Sequence, residues 1–195
     1  MRRRSLLLTD PRQLTWIEEE IPLSHPDQVL VRTRSGAVSV GTELPIYRGM
    51  HRGYSQITYP YMTGYESLGE VVTAGAEVQG LATGDRIVAF YGHCTHAVLP
   101  AEHVIPVPAD ISEAAALLTI LACDTAKGVA KVNVRHEDRV LVIGAGTIGL
   151  LTVFNLTSRD IQHVDVIEPK PHRRELALQF GAGQAVAPDD AELLA

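Results

Sequence analysis

A β-rich domain of barrel type, followed by part of a parallel α/β sheet, is the fold class this sequence predicts. Three observations carry it. Up to about residue 111, short apolar runs alternate with turn residues. Beyond residue 111 the pattern changes to strand–helix–strand–helix–strand. A glycine-rich turn joins the first of these later strands to the helix that follows it.

In the first region the runs are 6–8, 14–17, 29–34, 70–74, 86–90, 95–99 and 103–107, punctuated by Pro22, Pro26, Gly36, Gly41, Gly75, Gly84 and Pro100. Many short strands with frequent turns predict a partly open antiparallel barrel. Ser112 then stands where a helix over 113–132 needs an N-cap. Residues 139–143 read as a continuous apolar strand, 144–156 as a turn and helix, and 164–167 as a second strand. A helix over 171–180 opens on Pro171, and Gly181 stops it before a short strand at 184–187. Strands alternating with helices require crossover connections, hence a parallel sheet. The expected domains are 1–111 and 112–195.

The chain has 195 residues, 46% of them hydrophobic, enough for a packed core in each part. Seventeen Lys and Arg against twenty-three Asp and Glu give a net charge of −6, which argues against a nucleic-acid footprint. Two cysteines, Cys94 and Cys123, supply neither a disulfide framework nor a four-cysteine zinc site. Met1-Arg2-Arg3-Arg4 is followed by an apolar run too short for a signal peptide, and no apolar stretch reaches membrane length. The expectation is a cytoplasmic protein without membrane or nucleic-acid partners, acting on a small molecule.

Residues 140–149 read Val-Leu-Val-Ile-Gly-Ala-Gly-Thr-Ile-Gly, a G-x-G-x-x-G between a strand and a helix. Gly144 permits the tight turn, Gly146 lets backbone approach a pyrophosphate, and Gly149 lets the helix pack close to the strand. N–H groups at the helix start, around Thr147 and Ile148, face the phosphates. Glu168 ends the next strand at about the spacing of a ribose-binding carboxylate. A carboxylate there accepts from both ribose hydroxyls and repels a 2′-phosphate, favouring NAD over NADP. Arg173 and Arg174 lie just beyond, able to stack on adenine or to tolerate a phosphate. Asp165, inside the strand, is the rival carboxylate.

Gly64-Tyr-Glu-Ser-Leu-Gly-Glu-Val-Val-Thr-Ala-Gly-Ala-Glu-Val78 resembles the G-H-E-x-x-G-x5-G-x-x-V signature of the medium-chain dehydrogenase/reductases, the alcohol dehydrogenase superfamily. Tyr65 replaces its histidine. Val40-Gly-Thr-Glu43 resembles the family's C-G-T-D, Gly84-Asp-Arg-Ile-Val88 its G-D-R-V strand, and residues 136–146 the entry to its cofactor fold. The resemblance implies a GroES-like β-barrel catalytic domain followed by a Rossmann domain. It also implies an NAD(P)-dependent oxidoreductase that moves hydride between NAD(H) and a secondary alcohol/carbonyl pair.

The departures from the pattern bear on the chemistry. In zinc-dependent members the metal is held by the Cys of C-G-T-D, the His of G-H-E and a Cys or Asp near the domain junction. These positions fall here on Val40, Tyr65 and the segment 117–119. Valine and leucine cannot bind zinc, and neutral tyrosine or threonine is a poor ligand. No catalytic zinc is therefore expected. Gly-Thr-Glu with Gly-Tyr-Glu resembles a branch lacking the zinc ligands, which includes bacteriochlorophyllide a dehydrogenase-like proteins.

Without zinc, an acid or base must serve the substrate oxygen. Thr42 matches the family's proton-relay hydroxyl, or is a turn threonine bonding backbone. Tyr65 either donates its phenol to substrate or fills the vacated metal pocket. Glu66 orients Thr42 or Tyr65, or bonds backbone. In Gly92-His-Cys-Thr-His96, residues 93 and 96 of a strand point to opposite faces, so His93 is read as a proton shuttle rather than as half of a chelate. Cys123 is read as a small core residue, and Trp16 and Tyr47 as packing.

Only three strands of a six-strand doubly wound sheet are placed, so the chain reads as C-terminally incomplete. The expectation is weak dinucleotide binding and poor turnover by these 195 residues unless another chain supplies the remainder, with homo-oligomerisation as the other route to a partner. Two further readings stand beside the alcohol dehydrogenase one. One is a zinc-independent reductase of activated C=C bonds; the other is a noncatalytic dinucleotide-binding subunit or half of a split enzyme.

Overall fold

The computed structural model of the chain describes residues 1–22, 25–50 and 57–190. It resolves into two compact units, Met1–Ile120 and Leu121–Ala195. The division falls inside a helix, α2 (Glu113–Val132).

In the first unit, β1 (Arg2–Asp10), β2 (Gln13–Glu20) and the short β4 (Tyr61–Met62) form an antiparallel sheet in the order β2-β1-β4. The β1–β2 hairpin is longer than its apolar runs. Arg2, Arg3 and Arg4 pair with Glu20, Glu19 and Glu18 across the strands, and Arg3 meets Glu19 at 2.8 Å. Facing opposite charges extend the ladder where hydrophobicity gives no signal. A second sheet has the order β7-β3-β5-β6-β8, built from β3 (Gln28–Ala37), β5 (Glu66–Ala74), β6 (Arg86–Ala89), β7 (His96–Pro100) and β8 (Val104–Pro106). An isolated bridge, Ser5 to Cys94, stitches the two sheets. Val29, Val31, Val71, Ile87 and Ala97 are buried between these strands. Each such valine or isoleucine contributes on the order of 1.5–3 kcal/mol by leaving water.

Helix α1 (Val40–Tyr47) was not legible in the sequence, because Gly41 and Pro45 lie inside it. Its start is held instead by a long-range side chain, described below. For α2, the expected cap is present: the Ala115 N–H donates to Ser112 Oγ at 3.2 Å. Cys123, expected in the core, is exposed; its position on α2 faces outward. Trp16 is also half exposed, with the Arg4 guanidinium 5.2 Å from its ring centroid, so its packing partner is a cation.

The second unit holds a parallel sheet in the order β11-β10-β9, from β9 (Arg139–Ile143), β10 (His163–Ile167) and β11 (Gln184–Val186). The crossovers are α3 (Thr147–Thr157) and α4 (Pro171–Gln179). Val142, Val164, Val166, Val153, Leu156 and Ala177 form its core. Alternate residues of β9 point away from that core, and Ile143 is 80% exposed. Gly181 ends α4 in the left-handed region at φ 100°, while Ala182 N–H donates to Ala177 O and Gly181 N–H to Leu178 O. Those two bonds form a Schellman cap. Among the described residues no helix is long and apolar enough to cross a membrane.

Candidate functional site

The glycine-rich turn takes the form its spacing implies. Gly144 sits at φ 93°, which an L side chain rarely adopts, and its N–H donates to Ile167 O at 2.8 Å. Gly149 permits a contact no other residue allows: a Cβ there would lie 1.8 Å from Gly144 O. Gly146 is the N-cap of α3 and makes no side-chain cap bond, so the helix start around Thr147 and Ile148 presents N–H groups without a resident carboxylate cap. Ile148 is half exposed. The nearest atom to a Cβ at Gly146 would be Arg173 Nη1, at 3.9 Å. Arg173 therefore reaches over the turn. Arg174 does not, because its Nη1 donates to Glu168 O and Pro169 O at 2.8 Å each.

Glu168 lies at the end of β10, 3% exposed. Its Oε2 accepts from Ala145 N–H at 2.8 Å and its Oε1 from Lys170 N–H at 2.9 Å. These two backbone bonds, first that from Lys170 and then that from Ala145, hold the carboxyl below its usual range, with Arg173 and Lys170 adding to the effect. The carboxylate thus braces the glycine turn from beneath, a role the spacing argument did not foresee. Asp165 lies on β10 with Arg139 Nη2 at 3.8 Å.

The first unit carries a second constellation. Glu43, on α1, accepts at Oε1 from the N-cap N–H of Ser39 at 2.8 Å and at Oε2 from Gly64 N–H at 3.0 Å. The same Oε2 lies 3.2 Å from His93 Nε2. Glu43 so anchors the start of α1, the turn before β5 and the imidazole at once. The His93 ring is fixed from two further sides. Gly64, at φ 81°, leaves the space it fills, since a Cβ there would lie 2.6 Å from the ring. A Cβ at Gly36 would lie 3.3 Å from Nδ1. His93 main chain also bonds Thr63 O and Leu6 N–H at 2.7 and 2.8 Å.

Glu43 and His93 line a cavity of about 330 Å³ whose other walls are mostly apolar side chains from β1, β2, α1 and the approach to α1, with Tyr61 of β4 and Thr63 beside them. Of the other candidates, Thr42 is exposed on the first turn of α1 and does not line this cavity. Tyr65 stacks on Phe90, ring centroids 5.1 Å apart at 25°. Glu66 is buried at the start of β5. His96 lies at the first position of β7, with Nδ1 3.2 Å from Thr95 Oγ1; burial and the nearby Arg32 lower its pKa. Cys94 is buried, its thiol donating to His96 O and its pKa pushed up by desolvation. Among the described residues no three His, Cys, Asp or Glu converge as a metal site. Val40 and Tyr65, at the positions the resemblance gives to zinc ligands, do not form a donor set that fits zinc. In the sequence Glu43 stands only as the last residue of Val40-Gly-Thr-Glu43. Its acidic character at the place of the family's Asp was the available signal.

Residues 25–109 match the family described as the alcohol dehydrogenase GroES-like domain. L-threonine 3-dehydrogenase of Legionella pneumophila (strain Corby) is 28% identical over 215 residues, covering 94% of this chain and 62% of the relative. The starvation-sensing protein RspB of Escherichia coli (strain K12) is 28% identical over 218 residues, with the same coverages. A crystal structure described as a short chain alcohol dehydrogenase (rspB) from E. coli CFT073, complexed with NADH, superposes with a TM-score of 0.79 at 25% identity, covering 96% of this chain and 63% of that one. An E. coli oxidoreductase/dehydrogenase of unknown specificity shares the fold at a TM-score of 0.84 and 18% identity, over 99% of this chain and 65% of that one. The chain spans 62% of the length of the two sequence relatives. The architecture is a GroES-like β domain with a partial Rossmann-like parallel sheet, and these likenesses support membership of the medium-chain dehydrogenase/reductase superfamily.

Proposed function

We propose that the chain belongs to an NAD(P)-dependent oxidoreductase of alcohol dehydrogenase type, interconverting a secondary alcohol and its carbonyl without catalytic zinc. The observation that carries this reading is the braced turn Gly144–Gly149. Gly144 and Gly146 carry no side chain, the turn opens α3, and Glu168 and Arg173 flank it. Such a helix N-terminus favours phosphate. Gly144, Gly146, Thr147, Ile148 and Gly149 would hold the pyrophosphate, with Arg173 beside it. The nicotinamide dinucleotide supplies hydride exchange when bound.

The chain's own residues handle the oxygen and its proton. His93 is the best placed of the candidates Thr42, Tyr65, His93 and Glu66, because it alone lines the cavity and has a carboxylate partner. With its Nε2–H on Glu43, Nδ1 is the basic nitrogen, a tautomer assigned from the bonding. Zinc independence is supported by Val40 and Tyr65, which offer no metal donor set. A cytoplasmic location accords with two free cysteines, one of them exposed. NAD is the proposed cofactor. NADP is the second choice, and one observation favours keeping it: Glu168 gives both oxygens to backbone, while Arg173 stands over Gly146. A preference for NADPH would move the reading towards reduction of activated C=C bonds.

The test is fluorescence titration with NADH and NADPH, with zinc measured on the same sample. Expected is NADH binding at less than one-tenth zinc per chain, a bound chosen as about tenfold below stoichiometric. Binding of neither nucleotide overturns the cofactor reading, and stoichiometric zinc overturns metal independence. Nucleotide binding with no hydride transfer to any carbonyl would leave a noncatalytic binding subunit.

A further inference from the structure

We propose that α1 is a strap over the cavity, fastened shut by the Glu43 side chain, and that its release controls access to the space beneath. This gate lies wholly in the β-rich unit and stands whether or not the oxidoreductase reading does.

A short isolated helix is marginal in water, and helices in proteins draw most of their stability from a packed apolar face. α1 lacks that support. It is eight residues long, and none of them is buried. Gly41 and Pro45 lie inside it, and Ser39 at its start makes no side-chain cap bond. Val40, Leu44, Ile46 and Tyr47 line the cavity of about 330 Å³ instead of meeting a core. Leu6 and Leu8 of β1 line the same space.

Polar contacts at the two ends hold α1 in place. At its C-terminal end the Arg12 N–H donates to Tyr47 O at 2.7 Å. Gly49, at φ 70°, lies against Pro11, whose Cγ would be 2.9 Å from a Cβ there. At its N-terminal end one carboxylate does the fastening. Glu43 takes the Ser39 N–H at 2.8 Å and the Gly64 N–H at 3.0 Å, and meets His93 Nε2 at 3.2 Å. Release requires that carboxylate to exchange its partners for water, and no packed core has to part. A segment held by so few contacts opens locally, at a free energy well below that of global unfolding. Lifting α1 removes one wall of the cavity and uncovers Leu8, which is otherwise fully buried.

The experiment is native-state hydrogen exchange on the whole chain, read at the amides of Leu44, Ile46, Tyr47 and Arg48. The reference is Val71, a buried residue whose N–H donates to Asp85 O. The α1 amides should exchange as a group, about a hundredfold faster than Val71; equal rates overturn the strap. Glu43→Gln should speed them about tenfold or more and leave Val71 unchanged. No change at α1, or an equal acceleration at Val71, overturns the latch. Gly41→Ala is the second variant. A Cβ at Gly41 meets nothing within 4 Å, so the methyl adds helix propensity without a clash. It should slow the α1 amides about two- to fivefold, and no slowing overturns the marginal-helix argument. Access is read by thiol labelling of Leu8→Cys in a Cys123→Ser background, which removes the exposed thiol and leaves buried Cys94. Its labelling rate should rise with Glu43→Gln and fall with Gly41→Ala. A rate indifferent to both overturns the gate.

Discussion

Glu43 and Glu168 each accept two main-chain N–H bonds, but they do so in different kinds of site. Glu168 is bonded to Ala145, in the glycine turn after β9, and to Lys170, two residues further along its own segment at the start of α4. Glu43 ties together Ser39, Gly64 and His93, drawn from three separate segments of the β-rich unit. The first lies within two consecutive strand–turn–helix segments of one small parallel sheet. The second exists only once the sheets have folded. A site of the first kind should fail through backbone geometry and one of the second kind through loss of convergence. The following variants separate the two.

Gly149→Ala is the largest expected perturbation. Its methyl would sit 1.8 Å from Gly144 O, and neither backbone has room to move without parting α3 from β9. The cost is about 3 kcal/mol or more. Urea unfolding should show the loss, and NADH binding should disappear with it. Gly64→Ala comes next. It combines φ 81° with a methyl 2.6 Å from the imidazole, costing about 2 kcal/mol in strain and displacing His93. Its signature is a changed His93 ring shift by NMR while NADH binding persists. Loss of NADH binding would show that the two sites are not independent.

Glu168→Gln keeps one acceptor oxygen but turns an amide NH₂ towards a backbone donor. About 1–2 kcal/mol should be lost at neutral pH. The pH dependence sharpens this. The folded carboxyl titrates below its ordinary value of 4.5, so its stabilisation is complete above that pH and is lost as pH falls through the folded value. Wild type and variant should therefore converge in unfolding midpoint as pH falls below 4.5 and through the lowered folded value. A difference that stays constant over the whole acid range in which the chain remains folded would mean that the charge contributes nothing. Arg173→Ala is the smallest in stability, under about 0.5 kcal/mol. Its effect should be on nucleotide affinity, with NADPH weakened more than NADH, read by the same fluorescence titration.

How much was legible follows the same division. The strands at 139–143 and 164–167, the helix after each of them, the stop at Gly181 and the cap at Ser112 depend on neighbours within a few residues, and the structure has each of them. Helix α1 does not depend on neighbours alone. Gly41 and Pro45 argue against a helix there, and Glu43 supports it through Gly64 and His93. The full length of β1 and β2 rests on Arg–Glu pairs that hydrophobic periodicity ignores. Cys123 was placed in the core from the apolar character of its helix, but the helix has an outer face and Cys123 is on it.

The sequence by itself determined the two kinds of architecture, the glycine turn, and valine and tyrosine, poor metal donors, at positions 40 and 65. Each of these is written in residue type and short spacing, where backbone geometry and donor chemistry act directly. Only the tertiary structure decided that Glu43 holds His93, that Glu168 braces the glycine turn, and that Glu43 and His93 share the lining of a largely apolar cavity. The physical reason is that hydrogen bonds and cavities depend on distance in space. Residues 43, 64 and 93 are far apart along the chain, and only the folding of the β-rich unit brings Gly64 N and His93 Nε2 to 3.0 and 3.2 Å from Glu43 Oε2.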